Sequence, residues 1–434
     1  MALTADVVVI GGGLAGSCAA LAAREQGADV LLVARAPGAT AVSSGAIDFA
    51  ASEDDASIGE AARKLARSVD HPYALLGNGL VPAIDDALQL LRRHLSALGL
   101  SGARMAADRN LWLLTPLGFA KPAGLAQGGI AAGDLRNLGP REARVGIVAF
   151  AGSQAVEARL VASGLTRLLA PASTAVVVAP DLYSKRGDAL RTLPEIARDL
   201  DEPARHAALA ESLARAAAQA RATHLFLPTL GFDDPAGLRA ELERIAQRPI
   251  FELLGAPPSV PGLRFQAALE RALAKAGVRV VRGIAERGAG GGADVQIVRG
   301  VECEPVRAGA VVLASGRFLG GGIRCEPDGR VRETVFDLPA AAAGRGVLAA
   351  LPNEHLFAER AAGPHPGLTA GVQTDGELRV GSVFACGAVL GGFDPARQQG
   401  GLGVCAVTGL VAGRSAARSA GRSAASAPAT AVLR

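Results

Sequence analysis

The apolar positions fall into short blocks separated by glycines and charges, and their spacing alternates between the strand and helix periods of a mixed α/β protein. Val7-Val8-Val9-Ile10 is an unbroken apolar run, as expected of a parallel strand buried on both faces. Ala19, Ala20 and Ala23 follow at helical spacing as far as Gly27, and Val30-Leu31-Leu32-Val33 is a second run. Together they predict a β-α-β unit. Residues 53–70 and 82–99 read as amphipathic helices, and Trp112-Leu113-Leu114 as a strand before the turn Thr115-Pro116-Leu117-Gly118. From about Arg141 the alternation restarts. Strands are predicted at 145–150, 175–178 and 225–228, and helices at 153–169, 203–222 and 235–247. After Pro257-Pro258-Ser259-Val260-Pro261-Gly262-Leu263-Arg264 a helix reaches Lys275, and Val278, Val280 and Val281 open a return strand. Two further strands end in small residues: Ala310-Val311-Val312-Leu313-Ala314 before Ser315-Gly316, and Val383-Phe384-Ala385-Cys386 before Gly387. Gln399-Gly400-Gly401-Leu402-Gly403 opens a final helix.

This order predicts one α/β domain interrupted by a single insertion. Residues 1–140 and 257–415 form the two parts of one nucleotide-binding α/β domain, and 141–256 form a smaller inserted α/β domain. Residues 416–434 read as a low-complexity tail that frays.

The segment Gly11-Gly12-Gly13-Leu14-Ala15-Gly16, between the first strand and its helix, is a dinucleotide-binding fingerprint in its required context. Gly11 makes the tight turn, Gly13 admits the backbone to a phosphate, and Gly16 lets helix and sheet pack. The free N–H groups of the helix N-terminus then face an anion. One position departs from the pattern. The second strand ordinarily ends in an acid that binds the adenosine ribose, and Ala34 stands there, followed by Arg35. This favours FMN, which has one phosphate and no second ribose, with FAD as the alternative. Ser43, Ser44 and Gly45 are candidates for lining a flavin. Ser315, Gly316, Gly387, Gly400 and Gly401 bring backbone and a helix N-terminus to the same site, where that terminus stabilises the anion of a reduced ring. Arg317 and Arg397, flanking two glycine-rich stretches, are candidate contacts for an anionic substrate. Lys185-Arg186, His355 and His365 read as solvated loop residues, and no residue stands out as a catalytic base.

The chain has 434 residues with 45 Lys+Arg against 41 Asp+Glu, a balance too even for a polybasic nucleic-acid footprint. Aromatics make up 3%, with one Trp, which argues against a base-stacking surface. The five cysteines (Cys18, Cys303, Cys325, Cys386 and Cys405) include no C-x-x-C spacing, so an iron–sulfur cluster or zinc ribbon is not expected within the chain. Cys386 and Cys405 sit among small apolar residues and read as inert core thiols. Asp6 ahead of the first apolar run, with no basic segment before it, argues against a signal peptide. The uncharged stretch between Arg397 and Arg414 is too short and glycine-rich for a membrane helix.

Longer words carry a more specific resemblance: GGGLAG at 11–16, VSSGAID at 42–48, HPYALLG at 71–77, PPSVPGLR at 257–264, LASGRFLGGG at 313–322, GVQTD at 371–375, and VFACGAVLGGFDP at 383–395 with GGLGVCAVTGL at 400–410. With these the chain resembles the B-subunit family of the anaerobic glycerol-3-phosphate dehydrogenases over nearly its full length, the inserted domain matching mainly by pattern. The resemblance implies a Rossmann-like FAD/NAD(P)-binding fold of the fumarate reductase and succinate dehydrogenase flavoprotein type, with FMN bound. It implies two partners in one complex, a second flavoprotein subunit, and a third that is iron–sulfur-containing and membrane-associated. A cytoplasmic location, peripheral on the membrane, follows from those partners. The resemblance further implies oxidation of sn-glycerol 3-phosphate to dihydroxyacetone phosphate, with electrons passed to quinone and finally to fumarate or nitrate. Two other readings remain at this point: a stand-alone flavin oxidoreductase acting on another small substrate, and a non-catalytic structural subunit.

Overall fold

The computed structural model describes residues 2–51, 56–138, 143–150, 153, 156–170, 172–180, 191–290, 294–327, 330–341, 369–398 and 400–426. Lys185-Arg186, His355, His365 and Gln399 lie outside these residues.

The first apolar run becomes the strand Leu3–Ile10, whose last four side chains are wholly or nearly buried. It pairs in parallel with Val30–Ala34 on one side and with Glu302–Leu313 on the other. Arg279–Arg282 extends the sheet beyond Val30–Ala34. Val295–Arg299 and then Ile284–Arg287 extend it beyond Glu302–Leu313, both in antiparallel pairing. The end of Glu302–Leu313 also takes Val383–Ala385 in parallel, which pairs with Arg379–Val380 to complete eight strands. The helix Leu14–Glu25 and the long helix Gly401–Ser426 pack on each other and both contact this sheet. Those two helices meet backbone to backbone. A Cβ on Gly409 would fall 2.4 Å from the Ala15 carbonyl oxygen, and one on Gly413 only 2.1 Å from that of Ala19. Small residues at one helical face therefore fix how closely the two ends of the chain approach.

A second, all-parallel sheet has the order Ile250–Glu252, His224–Leu227, Arg144–Val148, Thr174–Val178. The helices Ala158–Thr166, Leu193–Leu200, His206–Ala220 and Pro235–Ala246 accompany it. It has its own apolar core, including Leu209, Leu213, Leu225, Leu227 and Leu242. The helix Val260–Lys275 carries the chain back to the first sheet.

The structure departs from the sequence pattern at several elements. The first amphipathic helix is confined to Ile58–Leu65, because Ser57 and Glu60 form a reciprocal capping box that fixes its start. The next helix spans Leu80–His94. The antiparallel ladder Ile284–Val298 is not among the predicted strands: Ile284–Arg287 is mostly exposed, while Val295 and Ile297 of its partner alternate into the core. The expected fraying tail is instead helix as far as Ser426. Ala416 and Ala420, one helical turn apart, are both buried there, and Ala420 lies where a Cβ on Gly309 would meet it.

Candidate functional site

The turn after the first strand depends on glycine for steric reasons. Gly11 has φ +119°, and a Cβ there would lie 2.2 Å from the Ala314 carbonyl oxygen. Its N–H donates to the Val33 carbonyl at 2.8 Å, so one glycine joins all three central strands. A Cβ on Gly16 would come within 1.9 Å of the Gly11 carbonyl oxygen. Gly13 is the N-cap of Leu14–Glu25 and gives the helix no side-chain cap. Thr40, from the short helix Ala39–Val42, supplies part of what is missing: its Oγ1 accepts the Leu14 N–H at 2.9 Å. No local spacing marks Thr40 in the sequence, since its hydroxyl sits 26 residues from its partner. Ala34 is buried, and its methyl would stand 2.9 Å from a Cβ on Gly12. The place of the ribose-binding acid is thus a small apolar contact on the glycine turn.

The Ser43–Gly45 segment is fixed from outside. Ser259 Oγ donates to the Ser43 carbonyl at 2.5 Å, and the Gly255 N–H donates to the Ser44 carbonyl at 2.9 Å. Gly45 has φ +84°, and a Cβ there would press on Pro261. The Ser43 hydroxyl is buried without a hydrogen-bond partner, as are Ser315 Oγ and Gln127 Oε1. Gly316, at φ +78°, follows Ser315, whose backbone nitrogen would lie 3.2 Å from a Cβ on Gly11 just past the end of the central strand.

Beyond this segment, Asp48 meets the N-terminus of Gly401–Ser426. Its Oδ1 accepts the Leu402 N–H at 3.3 Å, its backbone carbonyl accepts the Gly403 N–H, and its Oδ2 pairs with Lys121 Nζ at 3.2 Å. Gly400 packs on the Phe49 carbonyl and Gly401 on Pro395. Gly387, at φ +73°, donates to Thr408 Oγ1 at 2.9 Å and abuts Ala15. It ties the last helix to Leu14–Glu25.

Of the two candidate arginines, Arg317 departs from expectation. Arg317 points inward and donates to the carbonyls of Ala388, Leu390 and Phe393, with its guanidinium 4.9 Å from the Phe393 ring centre. Burial pulls its pKa down to about 10. It therefore clamps the loop 388–393, and the expected substrate contact is corrected to this role. Arg397 is half exposed on the short helix Pro395–Gln398 and pairs with Asp394 at 4.0 Å. Cys18, Cys386 and Cys405 are free thiols. Burial pushes all three pKa values up, Cys405 to about 12, so none is a thiolate near neutrality.

These features fit a flavin. Glycines at Gly11, Gly13 and Gly16 leave the helix N-terminus without a cap beyond Thr40 on the Leu14 N–H, and buried hydroxyls at Ser43 and Ser315 lack partners that a ligand's polar edge would supply. Among the described residues no group of His, Cys, Asp and Glu is placed to hold a metal, and no helix is long and apolar enough to cross a membrane.

Comparison with known proteins defines the class first. Residues 6–404 match the family described as "FAD binding domain", so the chain has the α/β fold of that flavoprotein family. The B-subunit of the anaerobic glycerol-3-phosphate dehydrogenase of Yersinia pseudotuberculosis serotype I is 32% identical over 422 residues, 92% of this chain and 95% of its own length. The probable B-subunit of the anaerobic glycerol-3-phosphate dehydrogenase of Halobacterium salinarum is 32% identical over 437 residues, covering 95% and 98%. Among solved structures, the open conformation of a flavocytochrome c3 fumarate reductase is 12% identical with a TM-score of 0.43, covering 96% of this chain and 79% of that one. The chain belongs to the B-subunit family of the anaerobic glycerol-3-phosphate dehydrogenases. It is accordingly a flavoprotein dehydrogenase subunit. The matched family is one of FAD, and the expectation of FMN drawn from Ala34 finds no support in these comparisons.

Proposed function

We propose that this chain is the flavin-bearing subunit of a complex that oxidises sn-glycerol 3-phosphate to dihydroxyacetone phosphate and passes the electrons to quinone. The observation that carries the reading is the length of the family match, 92% of this chain and 95% of the relative, which leaves almost none of the relative without a counterpart. A flavin bound here supplies acceptance of two electrons from a carbon–hydrogen bond. Gly11, Gly13 and Gly16 open the Leu14–Glu25 helix to its phosphate, and Thr40, Ser43 and Ser315 provide hydroxyls. The N-terminus of Gly401–Ser426 contributes a partial positive charge. The flavin we assign is FAD, on the family match. Among the described residues no Cys, His, Asp and Glu group could hold a metal, and we assign the onward electron path to two partners. One is a second flavoprotein, and the other is an iron–sulfur protein that brings the complex to the membrane.

The test is the absorbance spectrum of the purified chain, followed by heat release and chromatography of the flavin. FAD supports the assignment, and FMN restores the argument from Ala34. A chain that stays colourless after reconstitution with both flavins, yet binds its partners, has a structural role only. An isolated chain that oxidises another alcohol with an artificial acceptor, and not glycerol 3-phosphate, is a stand-alone oxidoreductase.

A further inference from the structure

Arg317 clamps the loop 388–393 by hydrogen bonds that a neutral side chain could also donate, yet it brings a full charge into the interior. Only 9% of the residue is exposed. Three of its five N–H donors go to the carbonyls of Ala388, Leu390 and Phe393, and its guanidinium lies over the Phe393 ring. Carbonyl dipoles and a ring face replace part of the lost hydration, but none of these partners carries a negative charge. A buried charge is ordinarily paired, as Arg264 is with Glu252 in this chain. Burial lowers the Arg317 pKa only to about 10, so the cation persists near neutrality.

The groups around it do not cancel that charge. Asp394 is near enough to favour the charged form of Arg317, but it accepts the backbone N–H of Arg397 and pairs with the Arg397 side chain. Asp48, at the start of Gly401–Ser426, pairs with Lys121. Burial keeps the neighbouring titratable groups neutral, pushing Cys386, Cys405 and Tyr73 up and His71 down to about 4. Each of these two carboxylates thus has its own cation, and Arg317 is a net positive charge left inside. The N-terminus of Gly401–Ser426 adds a partial charge of the same sign. This excess lies among the segments that form the flavin site. Arg317 directly follows Ser315 and Gly316. Its partner Ala388 follows Gly387, which abuts Ala15 in the helix opened by the glycine turn. The clamped loop runs on to Pro395, on which Gly401 packs.

We propose that Arg317 is the buried counter-charge of the reduced flavin, raising the flavin's reduction potential by stabilising the negative charge that the ring gains. This rests on the proposed function in one respect, that the chain carries a flavin. A ring that accepts a hydride, which is two electrons and one proton, gains one negative charge while the donor loses the same pair and proton. A cation fixed in a dry interior stabilises such a charge more than one in water does, and it does so without touching substrate. The clamp and the charge are separate properties of Arg317: the first needs its donors, the second only its cation.

The test uses the full chain loaded with flavin and two readouts that need no substrate. The first is the midpoint potential, read from the flavin spectrum during slow reduction beside a reference dye. Arg317→Gln is expected to lower the equilibrium constant for two-electron reduction about tenfold, about 30 mV. Arg317→Lys keeps the charge and loses most of the clamp, so its thermal midpoint should fall while its potential stays near that of the unmutated chain. Asp394→Asn removes a nearby negative charge with little change of shape, so its potential should rise. The second readout is titration with sulfite, whose sulfur lone pair adds to the ring and leaves a negative charge there, with no leaving group. Arg317→Gln should weaken that adduct about tenfold, and Arg317→Lys should not. Should Arg317→Gln take up no flavin, the Arg317→Lys and Asp394→Asn variants decide. Arg317→Gln at the unmutated potential, Arg317→Lys shifted downwards as far as Arg317→Gln, or Asp394→Asn without a rise overturns the proposal. An unmutated chain that takes up no flavin overturns it together with the flavin-bearing role. A flavin-loaded chain whose potential follows the charge, but which oxidises another alcohol and not glycerol 3-phosphate, keeps this inference and removes the proposed function; one that oxidises glycerol 3-phosphate with a potential indifferent to the charge does the reverse.

Discussion

Arg264 and Glu252 form an ion pair in which both side chains are almost completely buried, with Nη2 to Oε2 at 2.5 Å. Arg264 comes from the helix that returns to the first sheet and Glu252 from the edge strand of the second, so the pair lies where the two sheets join. Each partner is held elsewhere too: Arg264 Nη1 donates to the Gly231 carbonyl, and Glu252 Oε1 accepts the Leu230 N–H. Removing one charge strands the other in a dry interior. Arg264→Met is expected to cost about 3–5 kcal/mol. The double substitution with Glu252→Met should recover a large part of that in denaturant melts, and a double variant less stable than Arg264→Met would disprove the account.

Glycine is required at one helical position and dispensable at another. Gly16→Ala drives a methyl into the Gly11 carbonyl, which belongs to the turn joining three strands, so flavin content and thermal midpoint should fall together. Gly421 has open space around its missing Cβ near the end of the last helix. Gly421→Ala should leave flavin content alone and raise stability by up to about 1 kcal/mol, read by calorimetry.

The unpartnered hydroxyls of Ser43 and Ser315 give opposite signs in two states of the protein. A buried hydroxyl without a partner is costly, so Ser43→Ala and Ser315→Ala should hold or raise the stability of the flavin-free chain. The same changes should weaken flavin binding by about tenfold each, at roughly 1.4 kcal/mol per decade. Flavin affinity unchanged in both variants would remove these residues from the site.

His71 links stability to pH. It is fully buried, its Nδ1 accepts the Tyr73 N–H at 3.1 Å, and its ring lies between those of Tyr73 and Phe393. Burial pushes its pKa down from the ordinary 6.5 to about 4. The folded state therefore holds the ring neutral while the unfolded chain protonates it between these values. Its contribution is fully present above pH 6.5 and is lost as pH falls towards 4, a change of up to about 3 kcal/mol. Urea melts across pH 4–7 should show this slope, and His71→Phe should flatten it.

Much of the fold is legible because burial on both faces leaves a continuous apolar run, as in Val7–Ile10, and because a glycine turn between such a run and a helix has few other uses. The Ile284–Val298 ladder is harder to read, since only one face is buried, by Ala285, Val295 and Ile297, and runs this short leave a weak apolar period. In the site, the glycines and Ser43 can be read from local spacing. Thr40 reaches Leu14, and Lys121 reaches Asp48, only through tertiary packing that no local pattern encodes. Arg317 misleads for a related reason: its neighbours in sequence are glycines, whereas its partners are carbonyls more than 70 residues away.

The backbone contact between Ala15 and Gly409, and between Ala19 and Gly413, bears on how the protein is made. The glycine turn at 11–16 is translated nearly 400 residues before the helix Gly401–Ser426 that packs on Leu14–Glu25. Until then the Leu14–Glu25 helix lacks the surface that buries its outer face, and the flavin site lacks one wall. A ribosome stalled short of residue 400 therefore holds a chain that has its glycine fingerprint but not the helix whose backbone packs against the one that follows it.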